Sequence, residues 1–301
     1  MENVYVINAH AIFSENALCF ASKLKLKLIT ELNPKDGDIY IVFGGHEIIQ
    51  ELIYYQTKYK ILYIIMNSEQ ISSPVLQNKY YIQLLKQNVL FDYNTLTSQY
   101  FREKYDIKTI SYYFFEFIQA EINPNSAEEH IRDIDIFFTG SHNPHREALM
   151  NDLKKEFPEK NIVFDFKWSY KSPLLMKEVL QRSKYVINMP YYCNNTLETH
   201  RINNALSCDC RVLTLPSSDE DADAYYKDYA YFTDNIVEWF KLEKMVNVPP
   251  LKKYSDLVTD LTQKLVIHNY SMINEIKKNM PILYADNEAE KQTADGVQGQ
   301  V

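Results

Sequence analysis

The stretch Tyr185-Val-Ile-Asn-Met-Pro-Tyr-Tyr-Cys-Asn-Asn-Thr-Leu-Glu198-Thr-His-Arg201-Ile-Asn-Asn-Ala-Leu-Ser207, followed by Cys210-Arg-Val-Leu-Thr-Leu-Pro216, reads as strand, loop, helix, strand. On a helix that advances about 100° per residue from Leu197, Ile202, Ala205 and Leu206 share one apolar stripe. Glu198 and Arg201 fall on that same stripe. Two opposite charges therefore sit where the pattern calls for apolar side chains, in the first turns of a helix that follows a strand. In a doubly wound sheet that place borders the ligand crevice, at the carboxyl ends of the strands. Two readings stand: an internal i,i+3 ion pair that holds the helix, and a binding role, because buried ionisable groups cluster at sites.

Upstream, strand and helix patterns alternate. Strands are predicted at 4–7, 38–43, 60–66, 89–91 and 109–113, with helices at 14–28, 47–56, 77–86 and 96–104. Ser14 is the expected cap of the first helix, and Lys23-Leu-Lys-Leu-Lys27 its solvated face. The polar, turn-rich segment at 122–132 reads as a linker. The alternation then restarts, with strands at 135–138, 162–166, 185–189, 211–215 and 229–233. Helices fall at 144–157, at 172–183, after Leu197, and from Asp234, as cap, to about 245; the segment after Pro216 reads as an aspartate-rich loop. Strands at this spacing with helices between them make parallel βαβ units. The fold class is α/β, two Rossmann-like domains with parallel sheets. The boundaries are 1–122 for the first domain, 123–132 for the linker and 133–249 for the second domain. A C-terminal helix at 250–280 and a disordered tail at 281–301 complete the chain.

The 301 residues, 46% of them hydrophobic, suffice for two cored domains. A net charge of −8 argues against nucleic acid as the main partner. Cys19, Cys193, Cys208 and Cys210 are too few for a disulfide framework in a chain this long. No signal-peptide pattern opens the sequence and no apolar run reaches ~18 residues, so no transmembrane segment and a cytoplasmic setting are expected. With only 6 glycines, glycine-rich phosphate loops are largely absent, and any phosphate must be held by helix N-termini and side chains. A dehydrogenase wants Gly-x-Gly-x-x-Gly after the first strand of a domain; neither Asn8-Ala-His-Ala-Ile-Phe nor Gly140-Ser-His-Asn-Pro-His supplies it.

Four segments carry a family resemblance: Ile64-Ile-Met-Asn-Ser-Glu69-Gln70 with Val89-Leu-Phe-Asp92-Tyr93; Asp133-Ile-Asp-Ile-Phe-Phe-Thr-Gly140-Ser141-His-Asn143-Pro-His-Arg146; Ser183-Lys-Tyr-Val-Ile-Asn188-Met-Pro-Tyr191-Tyr192; and Leu197-Glu198-Thr-His-Arg201-Ile202-Asn203-Asn204-Ala205-Leu206-Ser207. Across roughly 60–216 the chain resembles the small GT-B glycosyltransferases of bacterial surface-polysaccharide clusters and large DNA viruses, of the group 1 or spore-protein-like type. The resemblance implies a nucleotide-sugar donor, UDP- or GDP-linked, bound mainly by the second domain, and a saccharide acceptor held mainly by the first. It implies metal-independent hexosyl or pentosyl transfer in the cleft, no cofactor, and a C-terminal helix that packs back on the first domain.

The local chemistry agrees. Residues 140–146 pass from a strand into a helix N-terminus, a natural pyrophosphate site, and Arg146 there can add charge-assisted bonds or lie solvated at the surface. One of Asn194, Asn195 and Thr196 is expected to cap the next helix, the others to reach phosphate or ribose. The donor set is Gly140, Ser141, Asn143, Arg146, Tyr191, Asn195, Thr196, Glu198, Arg201 and Asn204. Many retaining enzymes of this architecture place glutamates where this chain has Thr196 and Asn204, which leaves the ribose to Glu198 and the stereochemistry unassigned. If the reaction inverts, a base comes from the carboxyl end of a first-domain strand: His10 or Glu69, and after them His46. His142-Asn-Pro-His145 has a ligand-like spacing, but a structural zinc site prefers Cys-x₂₋₄-Cys with a matched second pair, and Cys208-Asp-Cys210 reads instead as flanking a buried strand start. The rival readings are a non-catalytic binding or scaffold protein of the same fold and a transferase acting on a base in DNA.

Overall fold

The computed structural model describes residues 3–107, 109–111, 131–167, 169–170, 173–192, 196–243, 251–252 and 256. The first sheet is built from β1 (Val4–Asn8), β2 (Lys27–Ile29), β3 (Ile39–Phe43), β4 (Leu62–Asn67), β5 (Val89–Asp92) and β6 (Thr109–Ser111). Every pairing is parallel and the spatial order is β2-β1-β3-β4-β5-β6. The second sheet holds β7 (Ile134–Thr139), β8 (Ile162–Asp165), β9 (Ser183–Asn188), β10 (Arg211–Thr214) and β11 (Tyr231–Phe232), also parallel, in the order β8-β7-β9-β10-β11. The central strands β3 and β4 are buried along their whole length, which is why they read as unbroken apolar runs.

Helices cover both faces. In the first domain α1 (Ser14–Leu24) packs Ala17, Phe20 and Ala21 on Val6, Ile41 and Ile64. The other face carries α2 (Ile49–Lys58), α3 (Lys79–Lys86) and α4 (Thr95–Tyr105), with Leu52, Leu84 and Phe101 against Val42, Tyr63 and Ile65. In the second domain α5 (Pro144–Glu156) and α9 (Ile236–Glu243) share one face. The other face is covered by α6 (Pro173–Gln181), α7 (Thr199–Ser207) and α8 (Glu220–Tyr226). One apolar cluster runs from the α1 face through Phe13, Tyr93 and Leu197 to the α6–α8 face, so the domains meet across a shared core at the base of their cleft. Two Rossmann-like domains with parallel sheets on either side of a central cleft make the GT-B plan.

Both sheets reverse direction once, between β1 and β3 and between β7 and β9. At such a switch point the connections leave to opposite sides and open a crevice at the carboxyl ends of the strands.

The structure corrects several local readings. The chain leaves α1 at Lys25, which is left-handed (φ +53°), and the rest of the basic run enters edge strand β2. Ser14 does not cap α1; its Oγ accepts from Asn8 Nδ2 at 3.1 Å. The aspartate-rich loop after Pro216 contains α8, capped by Asp219, whose Oδ1 accepts from Ala222 N–H. Asn235, not Asp234, accepts from Glu238 N–H at the start of α9. Glu198 occupies the cap position of α7 without making a capping bond, and Thr196 lies before it. Asn194 and Asn195, the linker up to residue 130, all but three residues of 250–280 and the whole of 281–301 lie outside the described residues. Among the described residues no helix is long and apolar enough to cross a membrane.

Candidate functional site

At the β7/β9 switch point two arginines share one carboxylate. Asn143 caps α5 by accepting from Arg146 N–H at 2.8 Å and donates to Tyr191 O at 3.0 Å. The Arg146 guanidinium turns inward, 1% exposed, and donates to Ser141 O at 2.9 Å, to Met189 O, and to Glu198 Oε1 at 3.1 Å. Arg201 pairs with the other oxygen of Glu198 and donates to Thr139 O at 3.1 Å and Asn188 Oδ1 at 2.7 Å. Tyr191 N–H also donates to Glu198 Oε1, at 3.0 Å. Both guanidinium carbons stand 4.9 Å from the Phe138 ring centroid. Arg146 is therefore not a solvated arginine: its guanidinium is buried and donates three bonds to protein oxygens. Burial first, then the Arg201 charge, hold its pKa down to about 10, with Glu198 opposing; it stays cationic at neutral pH. The cluster carries one net positive charge.

Gly140 makes this packing possible. A Cβ there would stand 3.0 Å from Arg146 Nη1, 3.0 Å from Phe138 Cζ and 3.1 Å from Arg201 Nη2. Both guanidiniums are pinned by the bonds above and have little room to yield. Gly140→Ala is expected to cost about 1–3 kcal/mol of stability by overpacking, read as a lower denaturant midpoint; an unchanged midpoint would mean that the arginines move freely.

At the β1/β3 switch point the three candidate bases converge. His10 follows β1, His46 sits in the 3₁₀ turn Gly45–Glu47 after β3, and Glu69 follows β4. His46 Nε2 lies 3.5 Å from Glu47 Oε1 and 3.5 Å from Glu69 Oε1; His10 Nε2 lies 3.9 Å from Glu47 Oε1. Glu69 Oε2 accepts from Ser73 Oγ. His10 Nδ1 accepts from Ile12 N–H at 3.2 Å, so its lone pair is committed and the neutral ring carries its proton on Nε2. Among the described residues no group of three or more His, Cys, Asp or Glu is arranged to hold a metal ion. Cys208 and Cys210 are buried, and burial pushes the Cys210 thiol up to about 12.

Beside the arginine cluster lies a cavity of about 230 Å³. Ser68, Gln70, Phe13 and Tyr93 line it from the first domain; Thr139, Glu198, His200, Arg201 and Asn204 line it from the second. Of the donor set the cavity thus takes Glu198, Arg201 and Asn204. Tyr191 and Ser141 are exposed beyond it, Gly140 and Arg146 lie beneath, and Thr196 faces Tyr93 Oη at 3.2 Å across the domain boundary. His200 is absent from the sequence-based set, although its i,i+4 spacing from Asn204 is a signal that finds it. Its Nε2 is 3.2 Å from Asn204 Nδ2, and its ring packs edge-on to Phe13 with centroids 6.3 Å apart. Burial first and the neighbouring Arg201 second bring its pKa down to about 4, so it is neutral at pH 7.

The domains are also tied at their helix caps. Asp219 Oδ2 accepts from Asn94 Nδ2 at 2.8 Å and Thr95 Oγ1 at 3.1 Å, while Asn94 Oδ1 caps α4 through Thr97 N–H. Asp92, fully buried, lies behind Asn94 and accepts from its N–H at 2.8 Å and from Asn67 Nδ2 at 2.7 Å. No sequence pattern marks this contact, because its members lie about 125 residues apart.

No family model matches the chain, and no curated protein matches it. Among solved structures it is similar to an α1,3-fucosyltransferase with GDP-fucose, at 8% identity over 87% of this chain and 90% of that one, TM-score 0.43. It is similar to Anabaena HepE in complex with UDP, at 8% identity over 97% and 100%, TM-score 0.45. A further α1,3-fucosyltransferase structure matches at 11% identity over 93% and 80%, TM-score 0.43.

Proposed function

We propose that this chain is a glycosyltransferase that moves a hexose or pentose from a UDP- or GDP-sugar to a saccharide acceptor, without a metal, in cytoplasmic polysaccharide assembly. One observation carries the reading. A cavity opens near the carboxyl ends of the two parallel sheets, lined on one side by Glu198 and Arg201 of the net cationic cluster and on the other by Ser68 and Gln70, which flank Glu69 in the chain. A donor whose diphosphate lies against Arg201 would present its anomeric carbon to the first domain. The acceptor hydroxyl oxygen then bonds to that carbon, the bond from carbon to phosphate oxygen breaks, and the diphosphate leaves with the electron pair. Arg201 meets the charge that develops. In an inverting reaction the hydroxyl proton passes to Glu69, whose neighbours Ser68 and Gln70 line the cavity; His10 is less available, because its Nδ1 lone pair is already engaged by Ile12 N–H. Glu47 and Glu69 give the first-domain side of the cleft an acidic component that favours a saccharide over nucleic acid.

Titration calorimetry with UDP, GDP and their sugars tests this. Wild type is expected to bind one nucleoside diphosphate series, and Arg201→Met to bind it ~100-fold more weakly, equivalent to about 2.7 kcal/mol. Absence of binding in wild type, or equal binding in the variant, would overturn the donor site. The scaffold reading has one observation in its favour: Thr196 and Asn204 face Tyr93 and His200, and neither supplies a carboxylate. Donor binding without hydrolysis or transfer to any saccharide would select it.

A further inference from the structure

Four buried side-chain nitrogen or oxygen atoms without a hydrogen-bond partner among the described residues belong to residues that line this one cavity. They are Ser68 Oγ and Gln70 Oε1 on the first-domain wall and His200 Nδ1 and Asn204 Oδ1 on the second. A buried polar atom left unsatisfied has given up its solvation without a compensating bond. Their convergence from two domains on one space marks a place that a ligand completes. We infer that His200 and Asn204 select the transferred sugar, and that the cavity takes a neutral, hydroxyl-bearing ring. This rests on the transferase reading and deepens it.

The chemistry of the pair supports that class of ligand. Asn204 Nδ2 donates to His200 Nε2, which places the proton of the neutral imidazole on Nδ1. The pair therefore offers one donor, Nδ1–H, beside one acceptor, Asn204 Oδ1. A sugar hydroxyl is both acceptor and donor and satisfies the two together. Ser68 and Gln70 repeat the arrangement on the opposite wall. The inner wall is apolar, formed by Phe137, Met176, Leu180 and Val186, and suits a C–H face or a methyl group. Among the described residues lining the cavity the one cation is Arg201, which Glu198 and, on the transferase reading, the diphosphate engage, so a sugar carboxylate finds none left. His200 stays uncharged. A hexuronate is thereby disfavoured against a neutral hexose or a 6-deoxyhexose.

Saturation-transfer NMR with methyl glycosides of a neutral hexose, a 6-deoxyhexose and a hexuronate, with and without UDP or GDP, tests the assignment. Calorimetry with the nucleoside diphosphate alone runs beside it. His200→Phe and Asn204→Leu keep volume; each removes one unpartnered polar atom together with the His200–Asn204 bond, and both are expected to fold. Wild type is expected to transfer saturation to the neutral glycosides and not to the hexuronate. Each variant should bind the neutral glycosides at least tenfold more weakly and the nucleoside diphosphate unchanged. The assignment falls if the variants bind the glycosides as wild type does, or if the hexuronate binds equally well. It falls too if nucleotide affinity drops in the same proportion, or if no glycoside binds under either condition. Glycoside binding that the variants lose, in a protein that binds no nucleotide, would uphold the sugar site and remove the proposed donor.

Discussion

Glu198→Gln is expected to destabilise the chain by about 3–5 kcal/mol, the loss that follows removal of one partner from a buried ion pair. The carboxylate accepts from Arg146, Arg201 and the Tyr191 N–H, and it is the only anion in contact with either guanidinium among the described residues. Without it two cations face each other under Phe138, one of them 1% exposed and with its Nε already lacking a partner. Gln can still accept a bond but cannot offset the charge. Urea midpoints of wild type, Glu198→Gln, Arg146→Met and the double variant measure this. The double variant should be more stable than the sum of the single losses predicts, because removing Arg146 relieves the repulsion that the missing carboxylate exposes. Strict additivity would mean that the two side chains act independently, against the geometry.

The second large effect is on pH. Burial pushes the Asp92 carboxyl up to about 8; the Asp219 charge acts the same way, while bonds from Asn67 and Asn94 oppose it. The folded state thus holds a proton on Asp92 that the unfolded chain releases near the ordinary carboxylate value. Below about pH 4 both states are protonated and this contribution to stability is at its fullest. From there to about pH 8 only the folded state keeps the proton, and each unit of rising pH removes about 1.4 kcal/mol. Above pH 8 both are ionised and the loss levels off. Midpoints at pH 5, 6, 7 and 8 for wild type and Asp92→Asn give the check: the two lines should diverge in slope, whatever the offset between them. Parallel lines would mean that Asp92 is ionised in the fold. Because Asn94 links Asp92 to Asp219 in the second domain, the same series followed by small-angle scattering is expected to show the domains parting as pH rises.

Much of the architecture is legible in the sequence. The apolar runs at 39–43 and 62–67, the polar breaks between them and the helical periods that follow are local signals, and a parallel sheet buried on both faces needs nothing more to be read. The charges of Glu198 and Arg201 on an apolar stripe, and the carboxyl-end positions of His10, His46 and Glu69, are legible for the same reason: each depends on a few neighbouring residues. Strand β2 is not. It has 3 residues at a sheet edge, and its basic side chains continue the pattern of the helix before it. Helix α8 is hidden by aspartates, one of which caps it.

What the sequence by itself determined is the class of fold, the two-domain division and the strand ends where chemistry belongs, since all three follow from local period and turn chemistry. Only the tertiary structure decided the roles. It buried Arg146, gave Glu198 two cations to hold, committed His10 to a backbone N–H, and turned Thr196 toward Tyr93. It also brought Ser68 and Gln70 opposite His200 and Asn204. Apart from the local His10–Ile12 and Glu198–Arg201 contacts, these join separate elements and loops or residues more than a hundred positions apart. They are set by how two sheets pack across a shared core, for which a linear pattern of hydrophobic and polar residues carries no term.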